Sequence, residues 1–285
     1  KPEDFKNHIA FLKKSDNFNW RIQFIRGNYH TFPPGQEIKI KSWLMMDNLL
    51  IHIFKGSIGF ICGPEKVILR KGQIGIFPEG AIIDCFRPDN RFLEHQIIHF
   101  YSLTLSGEEL FTFLKAPLVI NPRRESLAPG LITRIVQEAN KEPHGWKTSC
   151  QSLCESMVYD LIRTCGDQFA ASTMVTGQIY SRTGKVIKFI RENIGKNIKI
   201  HELAEIMNLS EPHFIRIFRG ETGLTPVNYF QKLKILEAVK IKRRRNLSWI
   251  KIAESLGFSD VYYFYRVFKK VCRVPPNQYL AKPEM

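Results

Sequence analysis

The stretch IHELAEIMNLSEPHFIRIFRGETGLTPVNYF (200–230) is answered about 50 positions later by WIKIAESLGFSDVYYFYRVFKKVCRVPPNQYL (249–280). Leu203, Ala204, Met207, Asn208, Leu209, Ser210, Phe214, Ile217, Phe218, Pro226 and Tyr229 recur as Ile252, Ala253, Leu256, Gly257, Phe258, Ser259, Phe264, Val267, Phe268, Pro276 and Tyr279, with one extra residue after Ser259. Leu203, Ala204 and Met207 fall on one face of a short helix, which is therefore core. A small residue, Ala204 or Ala253, lets a second helix cross closely. Asn208 and Gly257 both tolerate positive φ and suit a sharp turn. Ser210 and Ser259 then stand where a hydroxyl can cap the next helix. Phe214, Ile217 and Phe218 bury one side of that helix, as Phe264, Val267 and Phe268 do in the second copy. Each copy reads as a helix-turn-helix, and two of them point to a DNA reader.

The faces left over hold Pro212, His213, Ile215, Arg216 and Arg219 in the first copy and Val261, Tyr262, Tyr265, Arg266 and Lys269 in the second. In a helix-turn-helix the second helix enters the major groove and its early residues meet base edges. Arg216 and Arg266 occupy equivalent positions, and an arginine can bind guanine bidentately. Residues 181–285 hold 21 Lys and Arg against 9 Asp and Glu, so they carry 12 of the chain's 15 formal positive charges. That localised charge attracts phosphate and makes binding depend on salt. Lys240, Lys242, Arg243, Arg244 and Arg245 end the helix expected to join the copies, where they either contact phosphate or complement the helix dipole.

Residues 182–281 resemble the DNA-binding domain of AraC/XylS-type bacterial transcriptional regulators, on the two stretches above and above all on ETGLTP and IAESLGFSDVYYFYRVFKK. The resemblance implies two helix-turn-helix subdomains joined by a helix, reading successive major grooves. It also implies a cytoplasmic regulator, usually an activator working with RNA polymerase and usually a homodimer. Three positions depart from the family's pattern. Lys199 replaces a common capping Ser or Thr, so the first helix is expected to start less firmly. Arg273 replaces a glycine after the second copy, which would strain that turn or add a phosphate contact. Ile215 replaces a frequent polar base reader, so the first copy is expected to read less sequence.

Residues 1–125 are built differently. LLIHIFKGSIGFICGPEKVILRKGQIGIFPEGAIIDCF (49–86) alternates short apolar runs with Gly and Pro turns and reads as three or four strands of a sandwich or barrel. This part resembles the cupin-like sensory barrel of such regulators. In the metal cupin pattern, Gly72, Pro78 and Gly80 fit the second motif, but Ile83 stands at its ligand position, and Trp43, Met45 and Leu49 stand at those of the first. No metal centre, cofactor or cupin-type chemistry is expected. A barrel of about eight strands can enclose one small ligand. Trp20, Phe24, Tyr29, His30, Trp43, His52 and Phe60 are the candidate effector contacts, each open also to an ordinary core role. The family resemblance suggests a sugar or related metabolite as effector.

Helical spacing resumes at Leu131, Ile135, Val136 and Ala139, and after EPHGW at Cys150, Leu153, Cys154, Met157, Val158, Leu161 and Ile162. These two helices either cover the barrel or pair with a second subunit. The expected organisation is α+β with two domains: a cupin-like barrel (1–125), a helical dimerisation or packing region (126–165), a linker (166–181), and an all-α DNA-binding domain (182–285). The six cysteines suit reduced thiols in a cytosolic protein better than a disulfide framework. A zinc or redox site at Cys150, Cys154, Cys165 and His144 is the minor alternative. No apolar run is long enough for a membrane span, and no signal-peptide pattern opens the sequence, which begins at Lys1.

The sequence lacks a phosphate-binding glycine loop, an HExxH and a nucleophile elbow, so no catalytic residue is assigned and the chain is expected not to be an enzyme. A ligand-responsive transcription factor accounts for the repeat, the basic half and the barrel together. A constitutive DNA-binding regulator whose barrel only dimerises, and a cupin-type enzyme with an appended DNA-binding domain, are the alternatives.

Overall fold

The computed structural model describes residues 20–38, 40–104, 109–114, 116–169, 183–245 and 247–280. It divides into two compact units, one of residues 1–41, 47–105 and 109–177, the other of 42–46, 106–108 and 178–285.

The first unit is written by alternation and tight turns. Its strands are β1 (Arg21–Phe32), β2 (Ile40–Leu44, of which 42–44 fall in the second unit), β3 (Asn48–Lys55), β4 (Ser57–Cys62), β5 (Glu65–Arg70), β6 (Ile74–Phe77), β7 (Ile82–Phe86), β8 (Leu93–Leu103) and β9 (Val119–Ile120). The 48–86 region thus forms five strands, where three or four were expected. Strands of four to six residues are too short for their alternation to separate them in sequence. Gly56 turns β3 into β4 at φ 75°, and a Cβ there would sit 2.3 Å from the Phe92 carbonyl oxygen, so only glycine fits.

The strands form a five-stranded sheet, β1-β8-β3-β6-β9, and a four-stranded sheet, β2-β7-β4-β5. The register of β1, β8 and β3 decides which side chains face which way. Phe24 pairs with Phe100 and Ile22 with Ser102, but the register shifts between Phe24 and Arg26, after which Arg26 pairs with His99 and His30 with His95. On β3, Leu49 lies opposite His99 and Ile53 opposite His95. This bulge reverses the alternation of β1. Ile22 and Phe24 face outward to a helical layer, whereas Arg26, Asn28, His30 and Phe32 share the inner face with His95, Ile97 and His99. The inner faces of the two sheets meet through Phe60 and Phe77, whose rings are 4.4 Å apart.

The helices of this unit are α1 (Leu110–Phe113), α2 (Ala128–Lys141) and α3 (Trp146–Cys165). Ile132, Ile135 and Val136 of α2 and Cys150, Cys154, Met157, Val158 and Leu161 of α3 share one buried core with Ile22, Leu50, Ile98 and Phe100. The apolar stripes therefore cover the sheet. Gly27 makes room for them, since a Cβ there would touch Val136 at 3.3 Å. Asp160 of α3 is buried because it caps α2: its carboxylate accepts from Leu127 N–H at 2.8 Å and Ala128 N–H at 3.0 Å. After α3, Gly166–Gln168 makes one 3-10 turn and Phe169 is buried in the same core. The start of the expected linker thus belongs to this unit, and residues 170–182 lie outside the described residues.

The second unit is helical: α4 (Gly184–Glu192), α5 (Ile200–Ile206), α6 (Glu211–Thr222), α7 (Pro226–Arg245), α8 (Trp249–Ser255), α9 (Val261–Cys272) and α10 (Pro276–Leu280). Leu203, Ala204, Phe214 and Phe218 form the buried seam of the first repeat, and Ile252, Ala253, Leu256, Phe264, Val267 and Phe268 that of the second. Met207 and Ile217 are only half-buried. The rings of Phe218 and Tyr229 meet edge-on at 5.3 Å, and those of Phe268 and Tyr279 repeat this at 5.7 Å. Leu233, Lys234, Ile235, Leu236, Ala238 and Val239 of α7 are buried, so the middle of this helix is enclosed on most sides.

Candidate nucleic-acid interface and interior polar cluster

Each repeat turns as its residue types dictate. Asn208 and Gly257 take φ 54° and 68°. One residue on, Leu209 N–H donates to Ala204 O at 3.1 Å and Phe258 N–H to Ala253 O at 3.0 Å, closing the same loop twice. The helix caps depart from expectation. Ser210 precedes α6 in extended conformation but its side chain makes no capping bond. Before α9 the cap is Asp260, not Ser259: its Oδ1 accepts from Tyr262 N–H at 2.6 Å and Tyr263 N–H at 3.1 Å. The extra residue of the second copy thus supplies a carboxylate at the positive end of the helix, a stronger acceptor than a hydroxyl. Lys199 does not weaken the start of α5, because Glu202 reaches back and accepts from its backbone N–H at 2.7 Å. Arg273 takes φ 61°, the left-handed conformation that Gly223 takes at 75° in the first repeat, and its side chain is exposed.

With the seams buried, the opposite faces of α6 and α9 stand in solvent. Pro212, His213, Arg216 and Arg219 are exposed and Ile215 is half-buried; Tyr262, Tyr265, Arg266 and Lys269 are exposed and Val261 is half-buried. Tyr262 is 77% exposed, a large apolar surface that an isolated helix would not favour. Tyr263, absent from the sequence-based set, lies beneath Arg266, whose guanidinium carbon is 5.6 Å from its ring centre. The Tyr263 hydroxyl accepts from Gln231 Nε2 at 3.0 Å, and Lys270 Nζ donates to Gln231 Oε1 at 3.2 Å and Asn228 Oδ1 at 2.8 Å. Arg266 is thereby held on a support fixed to α7. The basic run is less uniform than its sequence suggests. Lys242 donates to Leu247 O at 2.8 Å and lies over Trp249 at 5.7 Å, so it fastens α7 to α8. Arg245 is exposed.

The proposed effector contacts separate by face. His30 and Phe60 are turned to the interior of the first unit. Trp20 and Phe24 pack instead against the helical layer, Trp20 stacking on Tyr159 at 5.4 Å and Phe24 donating its backbone N–H to Gln151 at 2.8 Å. Tyr29 is exposed and donates its hydroxyl to Glu94 at 2.6 Å, which with the carboxylate's charge holds its phenol above the usual range. His52 lies opposite Gln96, on the same face of β3 as Leu50, and so faces away from His30. Trp43 is buried in the 42–46 segment of the second unit.

The interior contains two histidines the sequence reading missed, His95 and His99, four residues apart and so on one face of a strand. His30 and His95 have ring centres 5.4 Å apart, and His95 lies parallel to Phe32 at 5.6 Å. His30 Nε2, His95 Nδ1 and His99 Nε2 are buried without a hydrogen-bond partner among the described residues. Burial drives the His95 imidazole down to about 3 and lowers that of His30, where Arg26 and His99 add to the effect. Both rings are therefore neutral at physiological pH. His99 Nδ1 lies 2.7 Å from Asp47 Oδ1 and donates to it, leaving Nε2 turned inward. Ile51, Ile53, Phe60, Phe77 and Ile97 supply apolar walls.

No group of three His, Cys, Asp or Glu able to hold a metal occurs among the described residues. Cys150, Cys154 and Cys165 are buried free thiols, and burial pushes Cys150 up to about 11 and Cys154 higher, which disfavours the thiolate. Among the described residues no helix is long and apolar enough to cross a membrane.

Residues 203–282 match the helix-turn-helix domain family HTH_18. The MmsAB operon regulatory protein of Pseudomonas aeruginosa is 33% identical over 91 residues, 32% of this chain and 30% of that protein. The RCS-specific HTH-type transcriptional activator RclR of Escherichia coli is 24% identical over 222 residues, 75% of this chain and 77% of that protein. Among solved structures, ToxT from Vibrio cholerae with bound unsaturated fatty acid superposes with a TM-score of 0.60 at 12% identity, covering 95% of this chain and 100% of ToxT. Residues 203–282 thus form a helix-turn-helix domain of the HTH_18 family, and the chain has the two-domain fold seen in ToxT.

Proposed function

We propose that this chain is a sequence-specific regulator that reads two successive half-sites and answers to a small molecule held between its sheets, without enzymatic activity. The observation that carries the DNA reading is the pairing of Arg216 and Arg266, exposed at equivalent positions of two helices whose opposite faces are buried. The interior histidines support the second half of the reading. A neutral imidazole donates at one nitrogen and accepts at the other, as a hydroxyl does, so a hydroxylated metabolite such as a sugar can satisfy His30 and His95 in either tautomer, and its hydroxyl can also meet His99 Nε2. ToxT is described with an unsaturated fatty acid; a carboxylate only accepts, so it would leave unpaired any ring nitrogen that presents a lone pair. Action as a homodimeric activator with RNA polymerase in the cytoplasm belongs to the same proposal.

The test is selection from random DNA by the full chain, with and without a panel of monosaccharides, polyols and long-chain fatty acids. Recovery of a motif with two half-sites about 10 bp apart supports the DNA reading. A change in occupancy with one compound class identifies the effector class. Recovery without any motif overturns sequence-specific reading, and indifference to every compound favours constitutive binding.

A further inference from the structure

Lys234 lies in the middle of α7 with only 6% of its surface exposed, a placement a charged side chain seldom takes. Its ammonium sits over the Phe230 ring at 4.5 Å and the Phe258 ring at 5.2 Å, and donates to Lys196 O at 3.3 Å. Phe230 belongs to α7 itself. Phe258 ends the turn of the second helix-turn-helix, and Lys196 lies in the turn between α4 and α5, ahead of the first. The same two turns touch through their backbones: a Cβ on Gly257 would lie 2.2 Å from Gly195 O, and one on Gly195 2.8 Å from Ser255 O. Both positions need glycine for the approach, and the Lys234 Nζ lies 3.5 Å from the place such a Cβ on Gly257 would take. Burial alone pushes this ammonium down to about 8, so the contact costs the fold rather than simply adding to it.

We propose that Lys234 is a positioning residue that locks the two helix-turn-helix units to one another, so that α6 and α9 read half-sites at a single spacing. A charge satisfied by a carbonyl on one unit and an aromatic face on the other has few alternative placements, whereas an apolar seam there could slide. None of the joint's residues belongs to α6 or α9, so it acts on their separation and not on their base contacts.

The experiment uses a duplex selected from random DNA by the full chain and the same duplex with one to three base pairs added or removed between the half-sites. Wild type is expected to lose about tenfold or more in affinity at each altered spacing. Lys234→Met keeps the length and apolar stem, and is expected to flatten this profile at least threefold while binding an isolated half-site as wild type does. Gly195→Ala, which pries the joint open without touching Lys234, is expected to flatten it likewise and carries the test if the first variant does not fold. Half-site affinity separates a spacing defect from general damage. A wild-type chain indifferent to spacing, or folded variants that keep the wild-type profile, would overturn the proposal.

Discussion

Replacing His95 by Phe tests whether the interior imidazoles are held neutral. His95 is 2% exposed, its Nδ1 has no partner among the described residues, and its ring already stacks parallel to Phe32, so a phenyl ring can take its place with little change of volume. Burial lowers its folded value to about 3 from an ordinary 6.5. Below pH 6.5 the unfolded chain binds a proton that the native ring refuses, so stability is full above 6.5, falls as pH drops towards 3, and then levels. Between pH 7 and pH 5 that linkage amounts to about 2 kcal/mol, and any native value well below 5 gives the same loss. His52, lowered to about 4, adds a similar loss, so wild type should drop by about 4 kcal/mol from these two groups and His95→Phe by about 2. The two units need not unfold together. Urea titrations at pH 7 and pH 5 should therefore be read by pulsed hydrogen exchange at fixed labelling pH, on peptides from β3 and β8. Equal acid losses in wild type and variant would show that His95 titrates with the unfolded chain and would refute the reasoning.

Arg216→Ala and Arg266→Ala should each cost about 1–3 kcal/mol on the selected duplex and relax preference at one half-site, measured by competition with single-base variants; equal losses on all sequences would remove the base-reading role. Asp260→Ala should destabilise the second unit by about 1 kcal/mol in thermal melts, and Ser259→Ala should leave it unchanged. Arg245→Ala should reduce the slope of log affinity against log salt by about 1, whereas Lys242→Ala should lower stability and leave that slope unaltered; the reverse would place Lys242 on phosphate.

The repeat was legible because its core positions recur at helical spacing and its turns need residues that tolerate positive φ. Asn208 and Gly257 could be identified as such from their types alone. The capping residue of α9 was misread for a physical reason: alignment of the two copies treats Asp260 as an insertion, while the helix requires an acceptor immediately before Val261. The interior of the first unit was far less legible. Trp20, Phe24, His30 and His52 are alike in sequence terms, all aromatic rings on strands or beside one, yet only His30 among them turns inward. A bulge between Phe24 and Arg26 exchanges the faces of β1, and no local pattern announces it. His95 and His99 did leave a signal, as alternate members of Leu93-x-His95-x-Ile97-x-His99, but alternation marks a shared face without saying what that face meets. Lys234 left none, because a lysine between apolar neighbours on a long helix is ordinarily solvated.

The buried polar groups bear on regulation through their cost. An unsatisfied buried donor or acceptor costs about 1–3 kcal/mol, and a whole domain is stable by only about 5–15 kcal/mol. Three imidazole nitrogens on one interior face, at His30, His95 and His99, have no partner among the described residues and so consume a substantial part of the first unit's margin. A ligand that supplies their missing bonds recovers that energy only in the native state. Its binding must then stabilise the first unit by RT ln(1 + [L]/Kd), about 2.7 kcal/mol at a hundredfold excess over Kd. A hydroxylated ligand that meets the neutral rings should keep its affinity between pH 7 and pH 5.5, because burial holds His95 near 3 and its ring stays unprotonated across that range, whereas an anion that draws a proton onto the ring should bind more tightly as pH falls. Calorimetry at pH 7 and pH 5.5 on the full chain therefore distinguishes a hydroxylated effector from a carboxylate. A compound whose affinity was the same for wild type and His95→Phe would place the effector away from that ring.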